Sequence, residues 1–143
     1  MKNYDFFIAG RWRNKDEVMK ITNVVRSAGY KAHCFLENDY SEALARLGFD
    51  KNAMESENTE KLPQDHPLIQ EIFKKDLEGQ IASESFLLVL PAGTASHIES
   101  GISYGMGKKC YAVGRLEKTE TLYCIFEEIF PDVQALKAWL DKN

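Results

Sequence analysis

Short, wholly apolar runs alternate along the chain with longer stretches in which apolar residues recur every three or four positions. The first run, YDFFIAG at 4–10, is brief and ends in glycine, the pattern of a strand entering a loop. Over 14–29, Val18, Ile21, Val25 and Ala28 share one helical face and Gly29 supplies the stop. KAHCFLE at 31–37 predicts a second strand, and YSEALARLGF at 40–49 a short helix. A polar, acidic stretch with two prolines follows at 50–67. A connection that long in a compact domain is either a functional lid or a bland surface loop. The spacing predicts a helix over 67–82, with Ile69, Ile72, Phe73 and Leu77 as its apolar stripe. SFLLVLP at 85–91 is continuously apolar, as a strand covered on both faces should be. A helix is expected over 95–107 with Ile98 and Ile102 in the core, then a strand in KCYAVG at 109–114. TETLYCIFEEIF at 119–130 carries Leu122, Ile125, Phe126 and Ile129 at helical spacing, and DVQALKAWLDK at 132–142 predicts a closing helix with Val133, Leu136 and Leu140 inward.

Strands alternating with helices imply a parallel sheet with right-handed crossovers and helices on both faces. The expectation is one α/β domain of flavodoxin- or Rossmann-like type over residues 1–143. At 44% hydrophobic and 28% charged, the chain can bury its own core. No apolar run approaches the roughly 20 residues of a membrane span, so no membrane partner is expected. The opening MKNYDFFIAGRW reads as a first strand and not as a signal peptide. A formal net charge of −4 gives no broad electrostatic footprint for nucleic acid, which leaves small molecules as the expected partners. Cys34, Cys110 and Cys124 show neither metal-ligand spacing nor a disulfide framework. They read as reduced, mostly buried thiols of a cytoplasmic protein, with no metal and no cofactor implied.

In sheets of this kind, ligands bind beyond the carboxyl ends of the strands, where strand order reverses. Two loops should frame such a site: Gly10 to Asn14, and Ala92 to Ser96. In the second, Gly93 precedes a helix whose unpaired N–H groups could hold an anion, with Thr94 and Ser96 adding hydroxyls. In the first, Arg11 and Arg13 suit a phosphate or carboxylate, and Trp12 offers a flat face to a base or sugar. Equally, these are two surface arginines and a packing tryptophan at a helix entry. Ser96-His97-Ile98-Glu99 matches a capping box, in which Glu99 would reach back to the Ser96 amide. Asp76 stands on the apolar stripe of its helix, and a carboxylate there needs a partner or a site. Glu84 lies just before the core strand and has the weaker case.

The run FIAG with the arginine and tryptophan that follow it, KDLEGQIASESFLLVLP, and GTASHIESGISYGMGKKCYAVG together resemble the nucleoside 2-deoxyribosyltransferase-like superfamily. That group includes the transferases and the N-glycosidases that cut a base from a deoxynucleoside 5′-monophosphate. The resemblance runs along about the whole chain, and its most specific piece is Glu99-Ser100-Gly101 after the Gly93 loop. It implies that Glu99 is a nucleophile on the anomeric carbon, and that an acidic residue, Asp76 or Glu84, assists the leaving base. It also implies that Arg13, with Arg11 close by, meets a 5′-phosphate, and that the chain assembles as a homo-oligomer. The expected partner is a nucleoside or nucleotide. Phe6 and Phe7 stand where such proteins often have a tyrosine, Ser83-Glu84-Ser85 where an aspartate is usual, and the Gly93–Glu99 spacing is longer than in the well-known transferases. Two alternatives remain: a non-catalytic nucleotide or sugar-phosphate binding module in which Glu99 is only a cap, and an NAD-cleaving glycohydrolase.

Overall fold

The computed structural model describes residues 3–50 and 57–143. Its strands are β1 (Tyr4–Ala9), β2 (Ala32–Cys34), β3 (Ser83–Val89), β4 (Lys109–Val113) and β5 (Phe126–Phe130). Its helices are α1 (Lys15–Ser27), α2 (Ser41–Arg46), α3 (Pro67–Ile81), α4 (Thr94–Gly105) and α5 (Val133–Lys142). All neighbouring strands are parallel, in the order β2-β1-β3-β4-β5, so strand order reverses between β1 and β3. This is the expected α/β sheet with helices on both faces. Residues 51–56 of the long polar connection lie outside the described residues. Its described end forms a short turn, Glu57–Lys61.

The two faces of the sheet are built differently. On one, Phe6, Ile8, Leu87, Val89, Tyr111 and Val113 meet Val18, Ile21 and Val25 of α1 and Leu136 and Leu140 of α5 in a continuous apolar core. The other face presents Phe7, Ala9, Phe86, Leu88, Cys110, Ala112 and Phe126. There α4 turns Ser96, Ser100 and Ser103 inward, and α3 turns Leu68, Gly79 and Gln80. The small serines let α4 lie close to the sheet, and Ser100 Oγ satisfies itself on the Ser96 carbonyl at 3.0 Å. Gly79 makes room for His33 of β2, whose ring nitrogen would stand 2.6 Å from any Cβ there.

This arrangement overturns two expectations about the core. Ile98 is 58% exposed, because the serine stripe occupies the inward side of α4; Ile102 is half-buried. Phe73 is 57% exposed, because α3 faces inward along Leu68, Gly79 and Gln80. The helix expected over 119–130 is also absent. Thr121–Ile125 is a 3-10 turn, and Phe126–Phe130 is the edge strand β5. The reason is a register irregularity: Cys110 pairs with Phe126, but the next residue, Tyr111, pairs with Glu128. The extra residue, Glu127, breaks the two-residue alternation, so Phe126 and Ile129 fall three apart and mimic a helix. The 31–37 strand is shorter than expected, turning into a 3-10 turn at Phe35–Glu37. Of the thiols, Cys34 and Cys110 are buried and Cys124 is exposed.

The junction of α3 with β3 is held by Lys108. Its Nζ donates to the carbonyls of Gln80 at 2.7 Å, Ile81 at 3.1 Å, and Ser83. A cation at a helix C-terminus satisfies carbonyls that the helix leaves unpaired. Lys108→Met should therefore cost about 2 kcal/mol. The check is a lower urea midpoint at unchanged slope; a midpoint equal to wild type would remove the capping role.

Candidate active site

The two loops at the carboxyl edge are joined directly. Ser96 Oγ donates to the Gly10 carbonyl at 2.9 Å, across the β1–β3 switch. Gly10 must be a glycine for packing: a Cβ would approach Val18 Cγ2 to 2.6 Å. Trp12 lies edge-on to Phe35 at 5.6 Å and packs against the main core, leaving it half-buried. Arg11 is half-buried, and Arg13 is exposed and pairs with Glu60 at 3.6 Å. The structure thus brings Gly10, Arg11, Trp12 and Arg13 to the rim that carries Gly93, Thr94 and Ser96.

The capping box does not form. The N-cap of α4 is Gly93, no side chain caps the helix, and Thr94 is its first residue. Ser96 is committed to Gly10, and Glu99 stands in the second turn. The helix starts earlier than expected because Gly93 takes the extended conformation that an N-cap needs. His97 is a packing residue. Its Nδ1 lies 2.8 Å from the Gly93 carbonyl and its Nε2 2.8 Å from the Tyr123 hydroxyl, with the two rings stacked.

Released from capping, the Glu99 carboxyl has no hydrogen-bond partner among the described residues. Burial, and after it the charge of Asp76, pushes its pKa up to about 8. Asp76 on α3 is raised to about 6 by burial, against the opposing bonds from Tyr40 and Asn38. Its Oδ1 accepts from Tyr40 Oη at 3.2 Å and from Asn38 Nδ2 at 3.2 Å, and Asn38 Nδ2 also reaches Tyr40 Oη at 3.1 Å. Burial, followed by the Asp76 charge, raises the Tyr40 pKa, so the phenol remains a donor. The chain therefore holds two electrostatically coupled carboxyls that compete for protons near neutrality. Pairs of this kind divide acid and base roles in enzymes.

One buried side chain sets the relation of the two helices. Gln80, one turn after Asp76 and 1% exposed, donates Nε2 to the Glu99 carbonyl at 2.6 Å and to Ser103 Oγ at 2.7 Å. Asn38, Tyr40 and Gln80 escaped the sequence reading. Gln80 carried a signal, since it continues the Asp76 face of α3 by one turn; Asn38 and Tyr40 carried none, being distant in sequence. The structure does not bring Glu84 to Glu99. Glu84 is exposed at the amino end of β3, near Asn3, Tyr4, Asp5 and Lys31 and away from the Ala92–Ser96 loop. Phe6 and Phe7 are both buried, on opposite faces, and the phenol in the carboxyl cluster comes from Tyr40. Among the described residues no group of three or more His, Cys, Asp and Glu could hold a metal ion, and no helix is long and apolar enough to cross a membrane.

By sequence, the chain matches no known family description and no curated protein. By structure, it is similar to a 2-deoxyribosyltransferase from the psychrotolerant bacterium Bacillus psychrosaccharolyticus. The TM-score is 0.70 at 17% identity, with 95% of each chain covered. The chain has the nucleoside 2-deoxyribosyltransferase-like fold. At this identity the similarity concerns the fold, and the chemistry must be argued from the residues in it. That structure's protein is described as a biocatalyst for the synthesis of antiviral and antitumoral nucleosides.

The raised carboxyls have a consequence for stability. Glu99 binds its proton more tightly in the folded state, about 8 against 4.5 for the free side chain. Its contribution is thus complete below 4.5 and is lost as pH rises through about 8. Asp76 acts in the same sense between 3.8 and about 6. Glu99→Gln should therefore stabilise the protein above pH 8 by about 2 kcal/mol, allowing for partial solvent screening, and leave it unchanged at pH 4. Melting temperatures across that range would show a gain of several degrees at the alkaline end only. A gain independent of pH would contradict the burial of the charge.

Proposed function

We propose that the protein cleaves or transfers the N-glycosidic bond of a nucleoside or nucleoside 5′-monophosphate, with Glu99 as nucleophile and Asp76 as the acid for the leaving base. The observation that carries this reading is the Glu99 carboxyl itself. It is shielded, without a hydrogen-bond partner among the described residues, and coupled to Asp76, where a capping role would have tied it to the Ser96 amide. A binding module would leave such a carboxyl without purpose. The deoxyribosyltransferase-like fold and the Glu99-Ser100-Gly101 match support the same assignment.

In the reaction, the C1′–N bond breaks and positive charge builds at C1′. The Glu99 carboxylate stabilises that charge and closes on C1′ as an ester. Asp76 supplies the proton that lets the base depart neutral. Water then releases the sugar, or a second base accepts it. The working state holds one proton between the two carboxyls; in the ligand-free protein the higher affinity of Glu99 keeps it mainly there, and the reacting form is the tautomer that carries it on Asp76. Below about 6 both are protonated and the nucleophile is lost; above about 8 both are ionised and the acid is lost. Arg11 and Arg13, at the rim with the α4 N-terminus, form the side on which an anionic 5′-substituent would lie.

The test is base release, followed by chromatography, from a panel of nucleosides, deoxynucleosides, their 5′-monophosphates and NAD, with and without a free acceptor base. Glu99→Ala should abolish release while keeping the fold, and wild-type kcat/KM should be bell-shaped between about pH 6 and 8. Full activity in folded Glu99→Ala would sink the assignment. Turnover of NAD alone would move the substrate class to the dinucleotide.

The protein is further proposed to assemble as a homo-oligomer through the outer face of α3 and α4. Phe73 and Ile81 on α3, and Ile98 and Tyr104 on α4, are large apolar side chains more than half exposed, on adjacent helices clamped by Gln80. Large apolar side chains exposed together on two neighbouring helices suit an interaction surface. Phe73→Asp with Ile81→Asp should reduce the sedimenting mass to that of one chain. A wild-type protein already monomeric at micromolar concentration would refute the assembly.

A further inference from the structure

We propose that Asn38 and Tyr40 are positioning residues that hold the Asp76 carboxyl by Oδ1 and thereby present Oδ2 to the leaving base. This rests on the glycosidic reading above and adds to it two residues from a separate part of the chain.

The geometry is specific. Both donors bind one oxygen: Tyr40 Oη and Asn38 Nδ2 each lie 3.2 Å from Oδ1. Oδ2 accepts nothing among the described residues, and it is not sealed from solvent. Asn38 Nδ2 also reaches Tyr40 Oη at 3.1 Å, so the three groups brace one another. Tyr40 is 5% exposed and belongs to the small cluster with Ala43, Leu44 and Leu68, which fixes its ring. A phenol anchored in that way is a rigid hydrogen-bond donor, and a carboxyl gripped on one oxygen can turn little about its own bond.

The groups that face Asp76 are Asn38 and Tyr40 from the connection between β2 and α2, and Glu99 from α4. Among the described residues no lysine, arginine or histidine pairs with it. Its ionised form is therefore supported only by two neutral donors. Burial favours the protonated form, and the two bonds oppose burial. This balance suits an acid that must release its proton during each turnover. In that step the Oδ2–H bond breaks and an N–H bond forms on the base. The C1′–N electron pair stays with the base nitrogen, and a Glu99 oxygen bonds to C1′. Aim and acidity both depend on the Oδ1 grip.

The experiment is a pH titration of the side-chain carboxyl by 13C NMR in the whole, ligand-free protein, with Asp76→Asn identifying the resonance. It is carried out on wild type and Tyr40→Phe, and on Asn38→Ser in case the tyrosine variant fails to fold. Loss of either donor should raise the Asp76 midpoint by about one pH unit. The acid limb of kcat/KM for base release should rise with it, and Tyr40→Phe should cause no further loss in an Asp76→Asn background. An unmoved midpoint in a folded variant overturns the positioning role, as does a moved midpoint with an unmoved acid limb. If wild type releases no base from any substrate, the glycosidic reading fails, and the leaving-base role of Oδ2 with it. The titration alone then reports whether the two donors grip Asp76.

Discussion

The contact between α3 and α4 is the constraint on which the site depends. Among the described residues, its hydrogen bonds come from a single buried amide. Gln80 bonds both the main chain of Glu99 and the side chain of Ser103, so the two helices cannot slide or rotate independently. A buried polar group is costly without partners, which makes this register much better defined than apolar packing alone would make it. Lys108 secures the end of the same helix from below, through three carbonyls. With α3 anchored at its end and clamped along its side, Asp76 is carried to the neighbourhood of Glu99.

That anchoring explains an unusual division of polarity. Ordinary helices on a sheet turn apolar residues inward. Here α4 turns three serines inward and leaves Ile98 and Tyr104 outside. Close approach of the helix to the sheet, with every inward hydroxyl bonded, replaces apolar burial on this side. The opposite face, under α1 and α5, supplies the conventional core. One half of the molecule is thus given to apolar burial, and the other to holding polar groups in fixed positions.

The carboxyl pair follows from the same economy of space. Two acids in a poorly hydrated site raise each other's proton affinity, and neutral donors on only one of them make the pair unequal. Asp76 has Tyr40 and Asn38, whereas Glu99 has no donor among the described residues. Inequality of this kind gives the pair two separate titrations, near 6 and near 8, with one proton shared between them around neutrality.

The sequence by itself determined the alternation of strands and helices up to β4 and the face each helix of the main core buries. Val18, Ile21, Val25, Leu136 and Leu140 are inward as their spacing requires, because local periodicity and burial agree there. It also singled out Asp76, as a carboxylate on an apolar stripe, whereas Glu99 read locally as a cap and drew notice only through the resemblance carried by Glu99-Ser100-Gly101. Only the tertiary structure decided the rest. Residues 119–130 became a turn and a strand because β4 had an open edge and one inserted residue hid the strand period. The apparent cap at Ser96 dissolved because α4 begins at Thr94, which places Ser96 within the first turn, where its hydroxyl donates to Gly10, 86 residues away. Asn38, Tyr40 and Gln80 joined the site through contacts 38, 36 and 19 residues apart in the chain, distances at which no local pattern carries information. Periodicity reports which way a side chain faces; only packing reports what it meets.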